Sequence, residues 1–101
     1  MQEDVFAEAR KVLSSTNILN FVSNLLPNGK LEGREWVAIN PTRLDKSLGS
    51  FRINTISGRW SDFATGDKGG DLISLYAYVK KINNYEAACR IVGVQPSNRR
   101  G

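Results

Sequence analysis

Apolar residues recur at helical spacing near both ends of the chain. Residues 3–13 carry one apolar stripe, and residues 17–26 carry a second one that Pro27-Asn28-Gly29 ends. Residues 71–82 and 85–92 show the same period. The pattern therefore predicts two helices before the middle of the chain and two after it.

The period changes in the middle of the chain. Residues 34–39 predict a short strand, which Asn40-Pro41 stops, and residues 40–49 contain turn formers and charges that predict a loop. Residues 51–56 and 59–63 alternate in polarity around a two-residue turn, so they predict a β-hairpin. These segments give a small antiparallel sheet of about three strands.

A turn at Ser57-Gly58 sets a register in which Ile56 pairs with Arg59 and Arg52 with Phe63. Side chains alternate along strands, so one face is expected to be core; it contains Phe51, Ile53, Thr55 and Trp60. The other face contains Arg52, Asn54, Ile56, Arg59, Ser61 and Phe63. This mixture of arginine and aromatic residues is typical of a single-strand binding face, but an ordinary solvated face explains it equally well.

Length and charge limit the classes of function. The 101 residues suit one domain, which we expect at residues 1–95, followed by a basic tail or linker start at 96–101. The net charge of +4 is compatible with a nucleic-acid partner. No apolar run is long enough for a membrane span, and the acidic N-terminus argues against a secretory signal, so we expect no membrane partner and a cytoplasmic location.

The chain lacks the residue types that most chemistry needs. It has no histidine and a single cysteine, Cys89, which excludes a tetrahedral zinc site and an internal disulfide. Cys89 lies in a predicted helix and is expected to be a small buried residue. There is no pair of carboxylates at a recognisable spacing, no nucleophile motif and no phosphate-cradling loop. We therefore expect no enzymatic activity and no cofactor.

One stretch resembles a known family. Gly69-Gly70-Asp71 follows the predicted hairpin and precedes a hydrophobic helix start, and the segment from Ile18 to Val92 resembles the zinc-ribbon domain at the front of bacterial and phage DNA primases. The resemblance implies an α+β fold with a zinc-ribbon-like sheet between N-terminal and C-terminal helices. Asp71 is expected to cap the helix that follows it.

The zinc ligands of that family are missing. Asn40, Arg43, Phe63 and Gly66 occupy the four ligand positions. The resemblance thus implies a degenerate, metal-free version of the domain. We expect Phe63 to fill the space of the metal, because burial of one such side chain contributes about 1.5–3 kcal/mol.

The resemblance also implies a function. It favours a non-catalytic module that binds single-stranded DNA template in a primase or replication protein of a phage, plasmid or mobile element. A primase or helicase catalytic domain, or another replication protein, is a further expected partner. The alternative is a small protein-interaction adaptor that retains the fold and has lost DNA binding.

Six residues are expected to contact DNA. They are Arg34, Trp36, Lys46, Arg52, Arg59 and Lys68. Trp36 stacks a base if Val37 and Ile39 face the core, whereas in the opposite register Trp36 is itself a core residue. Trp60 is expected in the core, since its cross-strand neighbours are apolar or β-branched.

Overall fold

Helices pack on one face of a small sheet in the computed structural model, which describes residues 4–42 and 49–95. The helices of this described part are α1 (Val5–Ser14), α2 (Ile18–Leu25), α3 (Leu72–Lys80) and α4 (Asn84–Val92). The strands are β1 (Lys30–Glu32), β2 (Glu35–Ala38), β3 (Phe51–Asn54), β4 (Trp60–Asp62) and β5 (Lys68–Gly69). They form one antiparallel sheet in the order β1-β2-β3-β4-β5. The predicted α+β class is confirmed, with two more strands than expected.

Each helix begins at a polar side chain that satisfies free backbone amides. Asp4, Asn17, Asp71 and Asn83 are the N-caps of α1, α2, α3 and α4. The Asp71 carboxylate accepts a hydrogen bond from the backbone amide of Ser74 at 2.9 Å, so its predicted capping role is confirmed. The Asp71 cap therefore fixes where α3 starts relative to the sheet.

One face of the sheet packs against α2 and α3. Phe51 and Ile53 of β3 are fully buried there together with Val22 of α2 and Leu75 of α3. The aromatic ring of Trp60 packs against those of Phe51, at 6.1 Å between ring centroids, and Tyr78, at 4.6 Å. Trp60 is 6% exposed, which confirms that it belongs to the core.

A second cluster joins α1, α3 and α4. Four of its five buried members, Ala9, Ala77, Ala87 and Ala88, are small and therefore allow the helices to approach closely around the fifth, Ile73. Cys89 is 1% exposed and lies in α4, as expected for a cysteine that acts as a buried apolar residue. None of the helices within residues 4–42 and 49–95 is long and apolar enough to span a bilayer.

The β3–β4 register differs from the predicted one by two residues. Ile53 pairs with Trp60 and Arg52 pairs with Ser61. The physical reason is a longer loop, because the side-chain oxygen of Asn54 accepts hydrogen bonds from the backbone amides of Ile56 and Ser57. A shift of two residues leaves the faces unchanged, so the division into core and outer residues within these two strands still holds.

Candidate nucleic-acid interface

The face of the sheet opposite the helices, here called the outer face, has two rows of mainly polar side chains. Cross-strand pairing gives the first row, which contains Lys30, Arg52, Ser61 and Lys68 together with the fully buried Val37. The second row contains Glu32, Glu35, Asn54 and Arg59. The register thus brings three of the predicted DNA-binding residues, Arg52, Arg59 and Lys68, onto one surface.

Arg52 is already engaged within the sheet. Its guanidinium lies 3.1 Å from the Glu35 carboxylate and 3.4 Å from the Glu32 carboxylate. Its Nε also donates to the backbone carbonyl of Gly49 at 2.9 Å. Lys30 pairs with Glu32 at 3.5 Å. The β1–β2 side of the outer face is therefore largely neutralised, and Arg52 has less charge to offer a phosphate than the sequence indicates.

Arg59 and Lys68 lie on the other side of the outer face and are exposed. Neither forms an ion pair with any carboxylate of the described residues. Both line an open groove of about 540 Å³. Its remaining walls come from Glu35, Arg52, Asn54, Ser57, Trp60, Ser61, Gly69 and Gly70. The groove thus has a basic half over β4 and β5.

The prediction for Phe63 is wrong. Its side chain is 72% exposed and fills no core space. The backbone amide of Phe63 donates to the carbonyl of Ser50 at 3.0 Å, which continues the β3–β4 pairing by one step. Since Asp62 faces the core in this alternation, Phe63 must face outward.

The outward orientation of Trp36, needed for base stacking, is also not observed. Trp36 pairs with Ile53 on the face that packs against the helices, and its ring contacts the core cluster. The indole Nε1 donates to the carbonyl of Leu26 at 2.9 Å. Of the two registers considered, the structure has the one in which Trp36 belongs to the core, because Ala38 and Phe51 face the helices too.

The two remaining predicted contacts lie away from the groove or outside the described residues. Arg34 is exposed in the turn between β1 and β2, where its carbonyl accepts hydrogen bonds from both the amide and the hydroxyl of Thr55 at 2.8 Å. It does not line the groove. Lys46, Arg43 and the predicted tail at 96–101 lie outside the described residues.

A buried hydrogen-bond network, hereafter the Asn40 network, joins the segment after β2 to the turn after β4. The amide nitrogen of Asn40 lies 2.7 Å from a carboxylate oxygen of Asp62 and 2.8 Å from the Tyr78 hydroxyl. Both Asn40 and Asp62 are fully buried. The Asn40 oxygen accepts from the amide and hydroxyl of Thr42, and the Tyr78 hydroxyl donates to Asp67 at 2.8 Å.

Sequence reasoning missed this network, although one signal was present. Asp62 occupies a core-facing position in β4, where strand alternation calls for an apolar residue. A buried carboxylate needs hydrogen-bond donors, and Asn40 supplies one. The backbone amide of Ala64 supplies another at 2.9 Å. A polar residue at a predicted core position thus indicates a polar partner elsewhere in the chain.

Comparisons with known proteins give one informative result. No family model matches the chain, and no curated protein matches it. The structure is similar to a crystal structure of the Aquifex aeolicus primase comprising its zinc-binding and RNA polymerase domains, with a TM-score of 0.69 and 21% sequence identity. The match covers 85% of this chain and 21% of that one, so the chain spans about a fifth of the primase structure. At this identity the similarity shows a shared fold, which is primase-like.

The residues of this chain do not fit the zinc ion that such a fold implies. Zinc sites use sulfur, imidazole or carboxylate ligands, and no group of three or more such side chains within the described residues could hold a metal. At three of the ligand positions inferred from the sequence, Asn40 is bonded to its neighbours and Phe63 and Gly66 have no donor side chain. The Asn40 network joins the segment after β2 to the turn after β4, the two regions that contain the inferred ligand positions Asn40, Phe63 and Gly66.

The first prediction therefore concerns metal removal. We expect thermal unfolding of the protein to give the same midpoint with and without a strong chelator, since hydrogen bonds connect the segment after β2 to the turn after β4 and the residues there do not fit zinc. Elemental analysis of the purified protein supplies the control and should give no stoichiometric zinc. A midpoint that falls when chelator is added contradicts this expectation.

Proposed function

We propose that this chain is a non-catalytic module that binds single-stranded DNA for a replication protein, in the manner of a primase template-binding domain. Such a protein belongs to a phage, plasmid or mobile element, and its primer-synthesising or helicase domain is a separate unit. The primase-like fold supports a place in replication. Arg59 and Lys68, exposed in a groove and unpaired with any described carboxylate, are the observation that carries the proposal.

The chemistry of the groove favours a nucleic-acid backbone. Arg59, directly before β4, and Lys68 of β5 provide contacts for phosphates, and the open shape allows a chain to pass through rather than enclosing a small molecule. Asn54 and Ser61 add polar groups to the same groove. Arg52 lines the groove but is held by two glutamates and is a weaker contact, whereas Arg34, at the turn between β1 and β2, would contact only DNA that extends beyond the groove.

Charge reversal in the groove tests the proposal. In the Arg59→Glu, Lys68→Glu double variant we expect affinity for a labelled oligothymidylate to fall at least about tenfold at low salt, because phosphate contacts dominate such binding. The slope of log affinity against log salt should become shallower by about 1.4, since each of two lost phosphate contacts contributes about 0.7 on a single strand. Fluorescence anisotropy at several salt concentrations measures both quantities.

A matched control changes the net charge equally on the opposite side of the molecule. Lys11 of α1 and Lys80 of α3 are exposed and do not line the groove. The Lys11→Glu, Lys80→Glu variant should bind almost as the parent does, apart from a small long-range effect. Equal losses in both double variants contradict a site in the groove. Absence of binding by the parent at low salt contradicts the proposed function itself.

Failure of that test makes the adaptor hypothesis the better account. An adaptor requires an exposed apolar surface, for which the two N-terminal helices were the candidates. Of the large apolar residues in α1 and α2, only Val12 is substantially exposed, at 38%. The structure of the described residues therefore gives the adaptor hypothesis little support.

A further inference from the structure

Phe63 is an exposed aromatic residue on a surface that otherwise holds polar groups. Its 72% exposure exceeds that of every other large apolar side chain among the described residues; the next is Ile56 at 67%. Strand alternation turns the residue at this position outward, but exposure of a phenylalanine ring forgoes the stabilisation that its burial gives, so core packing does not explain why the residue is a phenylalanine.

The strand register places Phe63 just past the basic half of the groove, although Phe63 does not itself line it. Ser61 pairs with Lys68 on β5, and Phe63, which directly follows β4, is the next residue to face outward. Successive outward residues of a strand are separated by about 6.6 Å. Arg59, Ser61 and Phe63 therefore follow one another along the same outer edge.

We propose that Phe63 is the base-stacking residue of the DNA site. The single DNA strand then runs along β4 and β5, with its phosphates against Arg59 and Lys68. This inference rests on the proposed function and makes it more specific. Base stacking needs an aromatic ring with a free face, which Phe63 has and Trp36, packed in the core, does not. Because the Phe63 ring carries no charge, it distinguishes DNA ligands only by whether they offer an unpaired base.

This arrangement makes the ligand single-stranded rather than duplex DNA. In a duplex the bases are stacked on one another and their faces are inaccessible to a ring on a protein surface. A single strand can turn one base onto Phe63 while the neighbouring phosphates contact the basic side chains. Because every base has such a face, little sequence preference is expected.

The Phe63→Ala variant tests the inference with two probes of equal length. We expect its affinity for oligothymidylate to fall about tenfold, within the range for loss of one stacked base. Its affinity for an abasic oligonucleotide, which has the same phosphates and no bases, should equal that of the parent. Duplex DNA should bind more weakly and show no effect of the substitution.

Matched variants separate stacking from loss of apolar area and from unfolding. Phe63→Tyr retains a ring and should bind as the parent does, whereas Ile56→Ala removes an apolar group of similar exposure from the hairpin loop and should have no effect. Circular dichroism melts should show Phe63→Ala folded, because the lost side chain makes little core contact.

The outcomes distinguish this inference from the proposed function. If the Arg59→Glu, Lys68→Glu variant loses binding while Phe63→Ala binds both probes like the parent, the stacking role is wrong and the DNA site remains. Equal losses for the normal and abasic probes also overturn the stacking role. If Phe63→Ala instead converts an associated protein to monomer in sedimentation and leaves DNA binding unchanged, the ring belongs to an interface between copies.

Discussion

Replacement of Asn40 by alanine is expected to destabilise the protein by about 2–4 kcal/mol. The substitution removes the donor that reaches both Asp62 and Tyr78 and the acceptor that Thr42 uses. It removes one hydrogen-bond donor from a fully buried carboxylate, and hydrogen bonds to charged groups contribute more than those between neutral groups. Urea denaturation followed by circular dichroism measures the free energy of unfolding.

Two further variants make the Asn40 result specific. Tyr78→Phe removes one hydroxyl from the same network but keeps the ring stacked on Trp60, so we expect a smaller loss of about 1–2 kcal/mol. Asn24→Ala changes an exposed asparagine of α2 and should stay within about 0.5 kcal/mol of the parent. If Asn40→Ala is as stable as Asn24→Ala, the Asn40 network does not stabilise the fold.

The Asn40 network gives a different account of the inferred ligand positions. An apolar side chain, Phe63, was expected to fill the space of a zinc ion, whereas the structure connects the segment after β2 to β4 and α3 through hydrogen bonds among Asn40, Asp62 and Tyr78. A hydrogen-bond network can occupy the positions of metal ligands because hydrogen bonds, like metal coordination, hold the bonded groups in particular directions. It also requires every buried partner to be present, which is why one substitution is expected to have a large effect.

Helices and caps were predictable because their signals are local. An apolar stripe with a period of 3.6 residues and a polar cap such as Asp71 are properties of a short segment. Helix α3 accordingly begins and ends within two residues of the predicted range 71–82. Trp60 was predictable for a related reason, since alternation within one strand decides which face it occupies.

Strands at the edges of the sheet were not predictable. Lys30–Glu32 contains a single apolar residue, Leu31, which is too little for a period-two pattern, and all three residues of β1 are exposed. The two residues of β5 are too few for a pattern, and Gly69 has no side chain. Each of these two strands forms because a neighbouring strand offers backbone hydrogen bonds. The sequence of the short segment alone does not contain that information.

The candidate site was predictable in composition but not in arrangement. The predicted hairpin placed Arg52, Arg59 and Phe63 together on its polar face. Phe63 was nevertheless expected to fill the space of the metal. Sequence cannot show that Glu32 and Glu35 would face Arg52, because that contact depends on the pairing of β1 and β2 with β3. Tertiary pairing therefore moves the free positive charge toward Arg59 and Lys68.

The two adjacent glycines before α3 are expected to respond differently to alanine. A Cβ atom added at Gly69 would lie nearer to the Trp60 indole and the Ser74 hydroxyl than non-bonded atoms approach one another. A Cβ atom added at Gly70 would have no such neighbour within 4 Å. The tight contact exists because Trp60 pairs with Gly69 across β4 and β5, and the indole Nε1 bonds to the Ser74 hydroxyl at 3.0 Å. The first glycine is thus required for packing rather than for backbone flexibility.

We expect Gly69→Ala to lower the free energy of unfolding by about 1–3 kcal/mol, since overpacking forces the Trp60 ring or β5 to shift. Gly70→Ala should be neutral or stabilise by up to about 1 kcal/mol, because alanine restricts the unfolded chain and meets no obstacle in the folded one. Urea denaturation of both variants measures the difference. The NMR signal of the Trp60 indole N–H should move in Gly69→Ala alone, as its hydrogen bond to Ser74 is disturbed. Equal stabilities, or an indole signal that stays in place, contradict the close packing of Trp60 on Gly69.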